Sequence, residues 1–188
     1  MNQKKQASRE KIIEAAKQLF HQQGYHSTTF SQLAELTSIS KGNFYHHFKT
    51  KQQLLIAVVD SLVEESIEKI KLLEENVSEP KQRLVVFCQQ TWEDREQLIR
   101  YGCPIATLNV ELVKKGRNQA ISLFNVYVDW CQKQLKILGI ENPKEVSWQI
   151  TSMLEGAILV ASVYQEESFL FNEIQRIQNF ILDLPNET

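Results

Sequence analysis

Apolar residues recur at helical spacing along most of the chain. Ile12, Ile13, Ala16, Leu19 and Phe20 share one face of a helix read from Asn2 to Gln23, which Ser8 can cap. Gly24 is placed to end it in a left-handed turn. Thr28 or Thr29 caps a short helix through Phe30, Leu33, Ala34 and Leu36, and Ser38-Ile39-Ser40 breaks it. Ser40 then caps a second short helix, Lys41 to Phe48. Thr50-Lys51-Gln52-Gln53 is a capping box opening a long helix to about Asn76. Pro80 suits the first turn of the next, to about Arg100, and Gly102-Cys103-Pro104 starts another. Gly116, the segment from Gly139 to Pro143 and the segment from Glu166 to Ser168 separate the last three, and Pro185 ends the fold. No alternating strand pattern, internal repeat or low-complexity tract appears. The pattern predicts an all-α fold of about nine helices.

Two short helices joined by three or four residues match a helix-turn-helix. The first would cross the DNA backbone. The second would enter the major groove and offer Lys41, Asn43, Tyr45, His46 and His47. Asn43 both donates and accepts, as base-edge reading requires. Lys41 and Lys51 suit phosphate, as do the unbonded N–H groups at the helix starts near Thr28, Thr29 and Ser40. Phe44 and Phe48 fit a small core with Leu33, Leu36, Ile39 and Phe20.

Charge sharpens this division. Residues 1–51 carry eight lysines and arginines against three glutamates, a net +5, and all four histidines. The other 137 residues carry 13 basic and 20 acidic side chains, a net −7. A basic head on an acidic body points to nucleic acid at one end only. The expected boundaries are a DNA-binding domain over 1–51 and a ligand-binding and dimerisation domain over 52–188. A composition of 43% hydrophobic residues argues against a disordered chain. No apolar run approaches the roughly 18 residues that span a bilayer, and no secretory signal is visible, so no membrane partner is expected. Three sparse cysteines, Cys88, Cys103 and Cys131, form no disulfide framework or CxxC pair, which suits a reducing cytoplasm. Adjacent His46 and His47 point in different directions on a helix, so no metal site is expected. No cofactor motif appears.

The stretches Gly24-Tyr25-His26-Ser27-Thr28-Thr29-Phe30-Ser31-Gln32-Leu33-Ala34 and Ser38-Ile39-Ser40-Lys41-Gly42-Asn43-Phe44-Tyr45-His46-His47-Phe48-Lys49-Thr50-Lys51 strongly resemble the DNA-binding head of TetR-type transcriptional repressors. The resemblance covers roughly residues 8–55. It implies that Thr28, Thr29, Lys41, Tyr45, His46 and Lys51 contact phosphate, and that Asn43 sits where the family approaches bases. The partners so implied are double-stranded operator DNA, a second copy of the chain and an inducer. Two positions depart from the pattern. Ser38 stands where the family has Gly in the turn, and Asn43 stands where Thr or Ala is common, so the operator sequence does not carry over.

The body resembles the family less. Gly102-Cys103-Pro104-Ile105-Ala106-Thr107-Leu108-Asn109-Val110-Glu111-Leu112 is similar to a GCP segment of one branch, and Glu155 to Val163 is similar to that branch's penultimate helix. There the last two helices build a four-helix dimer interface. Small Gly156, Ala157 and Ala161 permit close helix approach, and Leu154, Ile158, Phe171, Ile174, Ile177 and Ile181 supply an apolar seam, unless that stripe is the protomer's own core. Cys103 lies near a helix N-terminus, where a thiolate is favoured, and some family members with a cysteine here resemble sensors of electrophiles. Buried packing is the other fate open to it. Phe87, Thr91, Trp92, Ile105, Leu108, Phe124, Tyr127, Trp130, Met153 and Leu154 could line a ligand pocket or be plain core. The leading expectation is a ligand- or thiol-responsive dimeric repressor. The alternatives are an all-α thiol enzyme using Cys103, for which no catalytic base is identifiable, and an interaction module whose head no longer binds DNA.

Overall fold

The computed structural model describes residues 2–113 and 119–185. Ten helices and no strand occur among them: α1 (Asn2–Ser27), α2 (Phe30–Thr37), α3 (Lys41–His47), α4 (Lys51–Asn76), α5 (Pro80–Glu93), α6 (Arg95–Tyr101), α7 (Pro104–Val113), α8 (Gln119–Ile137), α9 (Pro143–Tyr164) and α10 (Glu167–Leu182). The helix expected from Pro80 to about Arg100 is broken at Asp94, which closes α5 and opens α6. Gly116 lies outside the described residues.

Packing divides the chain into two compact units, Met1–Glu64 with Thr107–Leu123, and Glu65–Ala106 with Phe124–Thr188. In the first, α2 packs on α1 and on α3. Its core holds Ile12, Ala16, Phe20, Leu33, Phe44, Phe48, Leu54 and Val58. Leu36 is 48% exposed instead of joining it. Thr37 takes the inward position on α2, and its hydroxyl donates to the Leu33 carbonyl at 2.7 Å. Gly24 breaks α1 at φ 81°, ψ 158°. Its φ is positive, as a glycine permits, but ψ is extended, so the helix kinks and resumes to Ser27 rather than ending in a left-handed turn.

In the second unit α10 packs against α5 and α9, and α9 also packs against α6. Leu84, Cys88, Leu135, Ile150, Leu154, Leu170, Ile174, Ile177 and Ile181 make its core. Burying a leucine or isoleucine side chain contributes roughly 1.5–3 kcal/mol. Glu74 Oε1 accepts from Trp130 Nε1, Lys133 Nζ and Gln134 Nε2 at 3.1, 3.1 and 2.9 Å, tying the end of α4 to α8. Arg83 on α5 completes this network by donating to the Glu74 and Val77 carbonyls and to Gln134 Oε1. Burial opposes ionisation of Glu74, but Lys133 above all holds its carboxyl below the usual carboxylate range.

By length and composition α9 is long and apolar enough to cross a bilayer, although no uninterrupted apolar run in the sequence reaches that length. One of its faces is buried in the core of its unit.

Candidate DNA-reading head and sensor region

The order of caps explains the helix-turn-helix. Thr29 caps α2, its hydroxyl accepting from Gln32 N while the Gln32 side chain accepts from Thr29 N at 2.8 Å. Ser38 closes α2 in the left-handed region at φ 56°, ψ 27°, as the missing family glycine implies. Ser40 caps α3 by accepting from Asn43 N. Gln53 N donates to Thr50 Oγ1, but the Gln53 side chain reaches back to Lys49 N, one residue before the expected partner.

Lys41, Gly42, Asn43, Tyr45 and His46 are exposed on α3, while Phe44 and Phe48 are buried. The Lys41 ammonium and the Asn43 amide have no protein partner among the described residues. Tyr45 is 51% exposed and set by an edge contact with Phe30, ring centroids 5.4 Å apart. Of the residues expected on phosphate, Thr28 is buried and Lys51 folds back onto the end of α1 at the surface. Thr28 is 1% exposed, and its hydroxyl donates to the Gly24 carbonyl at 2.9 Å and accepts from Gln23 Nε2. Lys51 donates to the His26 carbonyl at 3.0 Å, with its ammonium 4.5 Å above the Tyr25 ring. Both pin the kinked end of α1, where bare carbonyls attract donors.

Cys103 is half-buried between α6 and α7. Gly102 precedes it at φ 77°, and its N–H donates to the Leu98 carbonyl at 2.8 Å. The Cys103 thiol donates to Glu155 Oε1 at 3.2 Å and accepts from Ala106 N at 3.5 Å, so sulfur caps the start of α7. Burial, then the Glu155 carboxyl, pushes the thiol up to about 12. Burial also raises Glu155, against the thiol hydrogen bond. A thiolate is therefore scarce near neutral pH. Cys88 and Cys131 are buried, and burial pushes each up to about 12.

Of the expected pocket residues, Phe87 is brought to Tyr127 and Trp130, with centroids 5.3 and 5.4 Å away. Thr91, Trp92, Ile105, Phe124 and Met153 are partly buried, and Leu154 is buried. Leu108 is buried in the other unit. The seam expected for dimerisation separates by helical phase. Leu154, Ile158, Ala161, Ile174, Ile177 and Ile181 turn into their own unit's core. Gly156 and Phe171 are exposed, and so are Leu159, Val160, Val163 and Tyr164. Alternation along α9 follows from its 3.6-residue period, which a run of consecutive apolar residues conceals.

Residues 12–58 match the family model of bacterial regulatory proteins of the tetR family. The chain is 31% identical over 166 residues to the HTH-type transcriptional regulator LmrA of Bacillus subtilis, covering 82% of this chain and 86% of that one. The chain belongs to the TetR family. A 58-residue stretch of this TetR-family regulator is 43% identical to the HTH-type transcriptional regulator QacR of Staphylococcus aureus, 31% of this chain and 30% of that one. Its fold is shared with a TetR-family regulator from Agrobacterium tumefaciens, at TM-score 0.83 and 19% identity over 94% of this chain and 98% of that one. It is also shared with the reduced form of E. coli NemR, at TM-score 0.75 and 21% identity over 92% and 96%.

Four features of this TetR-family chain escaped the sequence reading. They are the Glu155 partner of Cys103, the Glu74 network, the bond of Lys51 to the His26 carbonyl, and the outward row of Leu159, Val160, Val163 and Tyr164. Only that row had a signal in the sequence, an apolar stretch wider than one helix face needs.

Proposed function

We propose that this TetR-family regulator is a cytoplasmic dimeric repressor whose α3 reads operator DNA and which a non-covalent inducer releases. The observation that carries the DNA-reading part is the exposed row of Lys41, Asn43, Tyr45 and His46, on a short helix held by a capped turn. Lys41 and Tyr45 would hold phosphate, with the N–H groups at Thr29 and Ser40, and Asn43 would approach base edges. The outward apolar residues of α9 and α10 support pairing with a second copy, which would place two heads on half-sites. The raised Cys103 thiol favours a ligand in the body over thiol modification as the trigger. Its cap on α7 gives the cysteine a structural role.

Equilibrium binding to a labelled duplex from upstream of the protein's own gene, titrated with salt and random competitor, tests this. Specific binding that weakens steeply with salt is expected, with Lys41→Ala lowering affinity and reducing the salt slope by about 1. Binding no tighter than to competitor at that site and across a genome-wide selection of fragments would remove the reading. Val163→Glu should yield a monomer by sedimentation. Iodoacetamide should alkylate Cys103 far more slowly than it alkylates free cysteine.

A further inference from the structure

His46 and His47 lie side by side in the last turn of α3, with ring centroids 5.8 Å apart. His46 is exposed and His47 half-buried. Helix α1 brings Lys5 and Arg9 to bear on His47, and the Arg9 guanidinium stands 5.4 Å over the Phe48 ring. The ionisable groups acting on His47 are therefore all basic: His46 from its own helix, Lys5 and Arg9 from α1. Glu35, the carboxylate of α2, is not among them. Burial first, and then these three neighbours, hold the His47 imidazole below its ordinary range. Burial and its basic neighbours thus oppose a proton on His47 at the end of the reading helix unless an anion arrives. A duplex supplies one in every phosphate.

We propose that His46 and His47, with Lys5 and Arg9, form a proton-coupled phosphate site, so that binding DNA takes up protons and affinity rises as pH falls. This rests on the DNA-reading function above. In the free protein His47 is neutral near pH 7. Beside a phosphate its charged form is favoured, so it binds a proton as the complex forms. Each proton fully taken up steepens affinity tenfold per pH unit, between the free-state and DNA-bound values of the imidazole. Below the free-state value the ring is already charged and the dependence flattens. Above the bound-state value neither state holds the proton and the dependence vanishes. Because phosphates occur in every duplex, the pH slope does not depend on sequence.

Calorimetric titration of the full chain with the duplex upstream of its own gene, and with a random duplex of equal length, tests this in PIPES and in imidazole buffer. The heats should differ between buffers by an uptake approaching one proton per head. Affinity for both duplexes should fall several-fold from about pH 6 to about pH 7, the range in which histidine titrates. His47→Gln should remove most of that slope, and the double variant His46→Gln/His47→Gln should flatten it, with unchanged far-ultraviolet dichroism. Equal heats in the two buffers with a flat pH profile would overturn the proposal, and so would a double variant that keeps the wild-type slope. Failure of both duplexes to bind at every pH would instead overturn the DNA-reading function beneath it.

Discussion

The capping bonds of the helix-turn-helix and the network around Glu74 in the body act over different distances along the chain. The bonds that cap and close the head's helices span a turn or so of the chain: Thr28 to Gly24, Thr29 with Gln32, Thr37 to Leu33, Ser40 with Asn43, and Gln53 with Lys49 and Thr50. Lys51 reaches back 25 residues to the His26 carbonyl. In the body Glu74 reaches 56 residues to Trp130 and 60 to Gln134, Gln178 reaches 93 to Val85, and Lys81 reaches 101 to the Leu182 carbonyl. Local bonds decide where helices begin and end and leave their outer faces open for a partner. Distant bonds decide which helices lie together, and they are lost as a group when the acceptor that joins them is removed.

The largest effect should follow from cutting the body's shared acceptor. Glu74→Ala leaves the indole N–H of Trp130 and the amide of Gln134 without their carboxylate, at a cost of about 2–4 kcal/mol. Urea titration followed through the body's helices would measure it. A loss below about 1 kcal/mol would show that the network adds nothing beyond ordinary surface pairs. The same carboxyl sets an acid limit. Its folded value is depressed, so its contribution is full above the unfolded carboxylate value of about 4.3 and is lost as pH falls through the folded value. A stability profile from pH 6 to pH 2 should be steeper for the native chain than for Glu74→Gln in that acid window. Parallel profiles would contradict the assignment.

A smaller loss is expected in the head. Thr29→Ala removes the cap of α2 and should cost about 1 kcal/mol, read as faster amide exchange in α2 with none in α10. Exchange rising equally in both would erase the contrast between local and distant bonding. The smallest effect has the opposite sign. Ser38→Gly relieves a side chain held at φ 56° and should stabilise the head by about 0.5–1 kcal/mol. A destabilised variant would mean that the serine makes a compensating contact.

The same contrast governs what could be read beforehand. Helix starts at Thr29, Ser40, Pro80, Pro104 and Pro143 were legible because a cap or a proline acts on residues one to three positions away. The buried roles of Phe44 and Phe48 were legible for the same reason, since two short helices leave few ways to close a core. The exposure of Lys41, Asn43, Tyr45 and His46 was legible from the helical phase of α3, and the surroundings of the helix were less so. That Thr28 bonds the Gly24 carbonyl and Lys51 the His26 carbonyl depends on the kink at Gly24, whose extended ψ no residue type announces. In the body, the inward turn of Ile158, Ala161, Ile174 and Ile177 depends on helices far apart in sequence. Leu36 and Thr37 make the point in miniature: one helical step of 100° exchanged an expected core leucine for a threonine that bonds its own backbone.

The bond from Trp130 to Glu74 has an optical consequence. The chain has three tryptophans, at 92, 130 and 148, and all of them belong to the body. Trp92 lies between Arg95 and Phe171, Trp130 donates to a carboxylate whose ionisation it senses directly, and Trp148 is 53% exposed beneath Lys144. Their fluorescence arises entirely outside the helix-turn-helix. Any change in the colour of tryptophan emission when DNA is added must come from residues beyond the helix-turn-helix.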